Sequence, residues 1–194
     1  DSLLKHQEED IRDLESLYKS ERDFEPEILV HMAAQPLVIE SYKDPLNTFT
    51  TNTLGTVNIL ELIRKSPSIK SAVIITTDKC YENKNIYRGY REDDPMGGHD
   101  PYSSSKGSAE IIISSYQRSF FDLESYKQGN AAIAPVRAGN VIGGGDWAKD
   151  RLIPDLVRSA DTSNEVKIRN PGATRPWQHV LEPLTGYLMV AEKL

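Results

Sequence analysis

The sequence predicts an α/β protein built on a doubly wound parallel sheet. Short runs rich in β-branched and apolar residues recur along the chain and are separated by longer stretches with helical periodicity. This alternation is typical of strand–helix–strand units, whose strands are parallel. At 194 residues the chain is long enough to bury a core of its own. Strands are expected at 27–34, 72–76 and 131–136, with a short one at 166–169.

Five segments are expected to be helical, and the second has an identifiable start. Asp44 can accept hydrogen bonds from the free N–H groups of the first turn, where Pro45 also fits because it has no N–H to donate. The expected helices lie at 14–22, 45–64, 102–121, 150–159 and 182–193.

Composition excludes several classes of function. The net charge of −6 disfavours a nucleic-acid partner, and no apolar run approaches the roughly 18 residues of a membrane span. With Cys80 alone, no intrachain disulfide can form, which favours a reducing cytoplasm. The histidines show no metal-ligand spacing with this cysteine, so no metal is expected. They are His6, His31, His99 and His179.

Tyr102 and Lys106 form the most informative pair in the chain. They lie four residues apart in the run DPYSSSKGSAE, so a helix places both side chains on one face. A tyrosine titrates at about pH 10 in water, and a nearby ammonium favours its ionised form. Such a pair can act as a general base, although a solvated helix face shows the same spacing.

The segment upstream strengthens the catalytic interpretation. The apolar strand expected at 72–76 ends in Thr77, Asp78 and Lys79, 25 residues before Tyr102. Ligands of parallel sheets collect at the carboxyl ends of the strands. A hydroxyl, a carboxylate and an amine at one strand end therefore predict a catalytic rim.

With these residues the chain resembles the extended short-chain dehydrogenase/reductase family, whose catalytic set is Ser or Thr, Tyr and Lys. The resemblance implies a Rossmann-like fold and NAD as cofactor. Thr77 would bind the substrate oxygen and Tyr102 would be the acid/base. Lys106 would hold the nicotinamide ribose and lower the pKa of Tyr102, and Thr76 would also face the cofactor.

Three further segments resemble cofactor-binding motifs of the family. DIRD resembles the segment that contacts the adenine, and HMAAQP resembles the motif H-x-A-A, where small residues let the dinucleotide approach the backbone. The run N-T-L-G-T resembles N-x-x-G-T, whose asparagine braces the central sheet. The residues implied are Asp10, Ile11, Ala33, Ala34, Gln35 and Asn52. Without the resemblance they would be a charged turn, packing alanines and a polar residue within a helix.

The glycine-rich turn that opens a dinucleotide-binding fold is not found in the sequence. Nothing before Glu27 fits a strand, glycine-rich turn and helix, and the glycines at 143–145 come too late and lack the Lys-Ser/Thr of a P-loop. We therefore expect part of a longer enzyme. Residues 1–142 would form an NAD-binding region incomplete at its start, and 143–194 part of a smaller substrate-binding region.

Within the family, the sugar-nucleotide dehydratases carry Thr-Asp-Glu at the strand end. Lys79 replaces the glutamate here, as is typical of the branch that acts on CDP-glucose. Longer runs resemble that branch as well: YREDDPMGGHDPYSSSKG, VRAGNVIGGGDWAKDRLIPD and RNPGATRPWQHVLEPLTGYL. The resemblance implies a hydro-lyase of deoxysugar and O-antigen (lipopolysaccharide) biosynthesis. It would oxidise sugar C4, eliminate water across C5 and C6, and return hydride to C6.

The same resemblance implies roles for the remaining site residues. Asp78 would protonate the departing 6-hydroxyl, which requires burial to raise its pKa, and Lys79 would act in the elimination. Asn140, Arg151 and Arg175 are expected to bind the sugar nucleotide, whose diphosphate needs cationic or polar partners.

Two questions stay open at this point. The helices at 45–64 and 102–121 carry apolar residues on more than one face, which fits a second helical layer of the same chain or a partner. The resemblance favours a homodimer through these helices. The rival functions are a dehydratase of dTDP-glucose, a sugar-nucleotide 4-epimerase and a noncatalytic NAD-binding protein. Lys79 disfavours a dehydratase of dTDP-glucose. The pairing of Lys79 with Asp78 disfavours an epimerase, which needs no acid/base pair for elimination. The intact Thr77, Tyr102 and Lys106 disfavour a noncatalytic protein.

Overall fold

A three-stranded parallel sheet forms the centre of the molecule. The computed structural model describes residues 4–84, 86–162, 165–166 and 168–194. The strands are β1 (Ile28–His31), β2 (Ser71–Ile75) and β3 (Ala132–Val136), in the order β1-β2-β3. A second parallel pair joins β4 (Asn140–Ile142) to β5 (Trp177–His179). The expected parallel sheet is confirmed.

The described part of the chain contains eight α-helices. They are α1 (Leu14–Phe24), α2 (Val38–Lys43), α3 (Pro45–Phe49), α4 (Gly55–Lys65), α5 (Pro101–Phe120), α6 (Leu123–Lys127), α7 (Leu152–Thr162) and α8 (Leu181–Lys193). A π-helical turn, Thr50–Leu54, joins α3 to α4. The segment expected to be one helix at 45–64 is therefore helical throughout, but its hydrogen-bond pattern changes at this turn. The Asp44 carboxylate caps α3 by accepting from the Asn47 N–H at 2.9 Å, as expected.

Helices cover both faces of the main sheet. On one face, α4 and α5 pack on β2, where Ala72 and Ile74 are fully buried. On the other face, Tyr187 and Ala191 of α8 pack against Val73. The doubly wound arrangement is therefore confirmed. Because α8 belongs to the segment assigned to a substrate-binding region, the boundary at residue 142 stays a prediction.

Some short elements differ from expectation. The strand expected at 166–169 is not formed by Val166, Ile168 or Arg169, and Lys167 lies outside the described residues. Conversely, β4, β5, α2 and α6 were not anticipated, because three to six residues are too few to show a period. In the described part of the chain, no helix is both long and apolar enough to cross a bilayer.

Candidate active site

The site is built where the end of β2 meets the beginning of α5. Thr77 follows β2 directly, and Tyr102 lies in the first turn of α5. That turn is fixed by a capping box, in which Asp100 Oδ1 accepts from the Ser103 N–H at 3.0 Å and Ser103 Oγ accepts from the Asp100 N–H at 3.2 Å. The loop before it passes so close that a Cβ added to Gly98 would lie 2.0 Å from the backbone nitrogen of Ser104.

Tyr102 and Thr77 meet as the family resemblance implied. Both are buried, and the Thr77 hydroxyl donates to Asp78 Oδ1 at 3.2 Å. Burial raises the pKa of Tyr102, while the nearby Thr77 hydroxyl and the positive charge of Arg151 lower it. In this structure Thr77 and Arg151 are the groups that lower this pKa, and the expected contribution of Lys106 stays a prediction.

Lys106 is a buried amine with unused hydrogen-bonding capacity. Its Nζ donates to the backbone oxygen of Ile75 at 3.2 Å. Burial lowers the pKa of Lys106 to about 8, and the nearby Glu110 carboxylate opposes that shift. An ammonium has three donors, so two remain beyond the bond described here. Such a group fits the vicinal hydroxyls of a ribose.

Asp78 and Lys79 lie on the same rim as Tyr102. Lys79 Nζ donates to Asp78 Oδ1 at 2.9 Å and to Asn140 Oδ1 on β4 at 3.3 Å. The negative charge of Asp78 is close enough to raise the pKa of Tyr102. The Asp78 side chain is 32% exposed, so the expected burial of this carboxyl group is wrong for this structure.

Asn52 ties the loop after β1 to α5. Its Oδ1 accepts from the Gln35 N–H at 2.8 Å, and its Nδ2 donates to the Gln35 carbonyl at 3.1 Å and to Ser105 Oγ at 2.9 Å. Asn52 is 1% exposed and lies within the π-helical turn. A short backbone segment with the small residues Ala33 and Ala34 is thereby held beside the helix that carries Tyr102.

Two of the residues implied for the cofactor line a cavity next to β1. Ile11 and Ala33 line this cavity of about 740 Å³, together with His31 and Met32. Asp10 is exposed and pairs with Arg12, whose hydrogen bonds lower the pKa of Asp10 to about 2.

The two arginines expected to bind substrate differ in position. Arg151 pairs with Asp146 at 2.9 Å and lies near enough to Tyr102 for its charge to lower the tyrosine pKa. Arg175 is exposed, and its guanidinium donates to the Thr174 carbonyl at 2.7 Å. The described contacts bring Arg151, but not Arg175, to the catalytic rim.

One residue near the site, Glu110, was not recognised as important from the sequence. Glu110 is 4% exposed and accepts hydrogen bonds from Arg137 and from the Thr76 hydroxyl. Thr76 thus bonds to the protein, where the resemblance implied contact with the cofactor. A carboxylate four residues after Lys106, on the same helical face, is the signal that could have identified Glu110.

A comparison with family models matches residues 2–193 to the family described as GDP-mannose 4,6 dehydratase. The chain belongs to this family. A member from Salmonella typhimurium, named CDP-glucose 4,6-dehydratase, is 57% identical over 95% of this chain and 52% of its own length. The chain thus spans about half the length of this relative.

Solved structures agree on the fold. A dTDP-glucose 4,6-dehydratase from Bacillus anthracis, in complex with NAD, has a TM-score of 0.77 and 28% identity over 96% of this chain and 54% of its own. A UDP-glucose 4-epimerase from Thermotoga maritima reaches a TM-score of 0.83 at 22% identity, covering 96% of this chain and 58% of its own. Since the folds of a dehydratase and an epimerase both match, the fold alone does not assign the reaction.

Proposed function

We propose that this chain forms part of an NAD-dependent CDP-glucose 4,6-dehydratase, a hydro-lyase that yields CDP-4-keto-6-deoxy-D-glucose. The observation that carries the proposal is the meeting of two chemical groups on one rim. Thr77 and Tyr102 supply an oxidation site, and the paired Asp78 and Lys79 supply groups for elimination. The 57% identity to the Salmonella enzyme supports CDP-glucose as the substrate.

The residues present fit NAD as the cofactor. When bound, NAD accepts a hydride from sugar C4 and later returns it to C6. Lys106 has ammonium donors to offer the nicotinamide ribose, and the backbone near Ala33, Ala34 and Gln35 allows close approach of the dinucleotide. The cavity beside Ile11 would receive the adenine side.

Tyr102 removes the proton of the sugar 4-hydroxyl while the hydride leaves C4. Burial opposes the phenolate that this step needs, because a charge in a low-dielectric site is poorly solvated. The nearby Thr77 hydroxyl and the Arg151 charge offset part of that penalty. Thr77 also orients the sugar oxygen, since its hydroxyl lies beside the tyrosine.

The ketone formed at C4 makes the C5 hydrogen acidic, which permits loss of the C6 hydroxyl as water. A proton passes from the Lys79 ammonium to Asp78 across their 2.9 Å contact, and Asp78 gives it to the departing hydroxyl. The neutral amine of Lys79, held at the rim by Asp78 and Asn140, takes the C5 proton. Lys79 returns that proton to C5 when C6 has been reduced.

The diphosphate and sugar oxygens need partners that offset their charge. Arg151 and Asn140 lie next to the catalytic groups and suit the sugar or the adjacent phosphate. The exposed guanidinium of Arg175 suits a more distant part of the nucleotide.

A homodimer through α4 and α5, with the segment leading into α4, completes the proposal. The exposed side chains on these helices include large apolar groups, namely Leu46, Leu54 and Ile111, which are 73%, 55% and 60% exposed. Ile113, which lies on α5 like Ile111, is fully buried against the sheet. Apolar groups on the outer side of a packed helix favour a protein partner.

The full-length protein should be incubated separately with CDP-glucose and dTDP-glucose, and the alkali-sensitive 4-keto chromophore followed. We expect the chromophore with CDP-glucose. A product that keeps its 6-hydroxyl and differs only at C4 would instead identify an epimerase, and turnover of dTDP-glucose alone would reject the CDP assignment.

A further inference from the structure

A buried ion pair lies behind the catalytic rim. Arg137 follows β3 directly, and its Nε and Nη2 donate to the two carboxylate oxygens of Glu110 at 2.9 and 2.8 Å. The side chains of Glu110 and Arg137 are 3% and 15% exposed. A two-point contact of this kind fixes both position and orientation.

This pair joins the three elements that carry the site. Glu110 lies on α5, one helical turn after Lys106, while Arg137 extends β3. The hydroxyl of Thr76, the residue before Thr77, donates to Glu110 Oε1 and to the Val136 carbonyl. The Glu110 carboxylate is therefore hydrogen-bonded to the residue that precedes Thr77 and to the residue that follows β3.

Arg137 is itself held from the other side. Its Nη1 donates to the Tyr81 hydroxyl at 2.7 Å, and its guanidinium carbon lies 4.9 Å from the centre of the Tyr81 ring. A guanidinium with this many partners has little freedom to rotate away. Burying one charge without its partner is costly, so Glu110 and Arg137 act as a unit.

We propose that Glu110, fixed by Arg137 one helical turn from Lys106, is a positioning residue that supplies the negative charge next to the buried Lys106 amine. This inference rests on the proposed function, because it concerns the lysine assigned to the cofactor. Glu110 is not expected to touch substrate or cofactor. It would act through Lys106 and through Thr76.

The electrostatics around Lys106 support this role. Burial lowers the pKa of Lys106 to about 8, and Glu110 is the group that counters the shift. From β1, His31 faces the amine, and burial lowers the pKa of His31 to about 4, which leaves it neutral near pH 7. Cys80, near the pair, has its pKa raised to about 12 by burial and is also neutral. Thr76 and Ile75 add only neutral dipoles.

A purely structural ion pair would give a different result. Its loss would lower the stability of the fold and leave the titration of Lys106 in the folded protein unchanged. The positioning role predicts that replacing Glu110 with an uncharged isostere lowers the pKa of Lys106 further, because the carboxylate that counters the effect of burial on this amine would be gone.

The test is a titration of Lys106 in the full-length protein with isotope-labelled lysine. The Lys106 signal is followed by NMR from pH 6 to 10 and assigned with Lys106→Arg. Glu110→Gln is compared with Glu61→Gln, which breaks the exposed pair that Glu61 makes with Arg64. Folding of each variant is checked by circular dichroism.

For E110Q we expect the Lys106 midpoint to fall by about 0.5 to 1 pH unit, and for E61Q we expect no shift. An unchanged midpoint in folded E110Q would overturn the proposal. Should E110Q not fold, the double variant Glu110→Gln with Arg137→Met provides the second test, since it removes both charges and leaves neither buried alone. Its Lys106 midpoint should also fall, and an unshifted midpoint would again reject the inference. Because this readout needs no turnover, its failure is distinct from failure of the proposed reaction.

Discussion

The hydroxyl of Thr77, directly after β2, lies close enough to Tyr102, in the first turn of α5, to lower the pKa of the phenol. The two residues are 25 positions apart in the chain. Folding places a neutral hydroxyl beside the phenol whose pKa burial raises, and so counters part of that shift. The acid/base properties of Tyr102 therefore depend on how the helix docks on the sheet.

Tyr102→Phe should abolish formation of the 4-keto product by full-length enzyme, with a fall in rate of about 10²- to 10⁴-fold, because no group remains to take the 4-hydroxyl proton. Product is measured as the alkaline chromophore. Tyr116→Phe, on the same helix, is the control, since its hydroxyl donates to Glu61 at 3.0 Å. Equal activity of the two variants would remove Tyr102 from the mechanism.

Lys79→Ala should spare oxidation at C4 and slow dehydration by about 100-fold, on the scale of a lost acid/base group. The reduced cofactor should then accumulate during a single turnover and be visible by absorbance. The control is Lys84→Ala, which removes an exposed lysine paired with Glu82 in the following loop. Parallel loss of both steps in the Lys79 variant would refute a role confined to elimination.

His31 should make the fold sensitive to acid. Its pKa falls from 6.5 to about 4, mainly through burial and also through the charge of Lys106. The folded state thus resists protonation of His31. The contribution of neutral His31 to the free energy of unfolding is therefore fully present above about pH 6.5 and is lost as the pH falls toward 4. In His31→Gln, the loss of unfolding free energy between pH 7 and pH 5 should shrink by about 2 kcal/mol.

Urea unfolding of the full-length protein at both pH values measures this difference. His6→Gln replaces an exposed histidine and should leave the pH dependence unchanged. An acid response of His31→Gln equal to that of the parent would show that other groups cause it.

Gly98→Ala should disturb the start of α5. The added Cβ would lie 2.0 Å from the backbone nitrogen of Ser104, and a side-chain rotation cannot relieve contact with backbone. We expect a cost of about 3 kcal/mol in stability, together with reduced activity, because Tyr102 moves with the helix. Gly89→Ala is the matched control, since a Cβ there meets no atom within 4 Å. Thermal unfolding of both variants tests the prediction.

Ile111→Glu should weaken the proposed homodimer. Ile111 is 60% exposed on α5, and a carboxylate buried at a subunit contact without a partner is costly. Sedimentation of the full-length protein should show a shift toward monomer. Leu123→Glu, a similarly exposed leucine on α6, should sediment as the parent does. A monomeric parent protein would contradict the proposal outright.

The local sequence pattern determined much of the secondary structure of this protein. The apolar run that became β2 and the Asp44-Pro45 start of α3 were both identifiable from the sequence, because strand burial and helix capping depend on neighbouring residues. The spacing of Tyr102 and Lys106 likewise placed both on one face of α5. Family resemblance, drawn from the sequence alone, then anticipated the chemistry proposed for the strand end.

Tertiary structure decided what local pattern does not encode. Lys79 meets Asn140 across 61 positions, and Glu110 meets Arg137 across 27, through folding of the sheet and not through periodicity. The direction of the Tyr102 pKa also had to be read from the structure, since burial acts on it more strongly than any neighbour. Desolvation and long-range charge depend on which segments pack together, and that is a property of the whole fold.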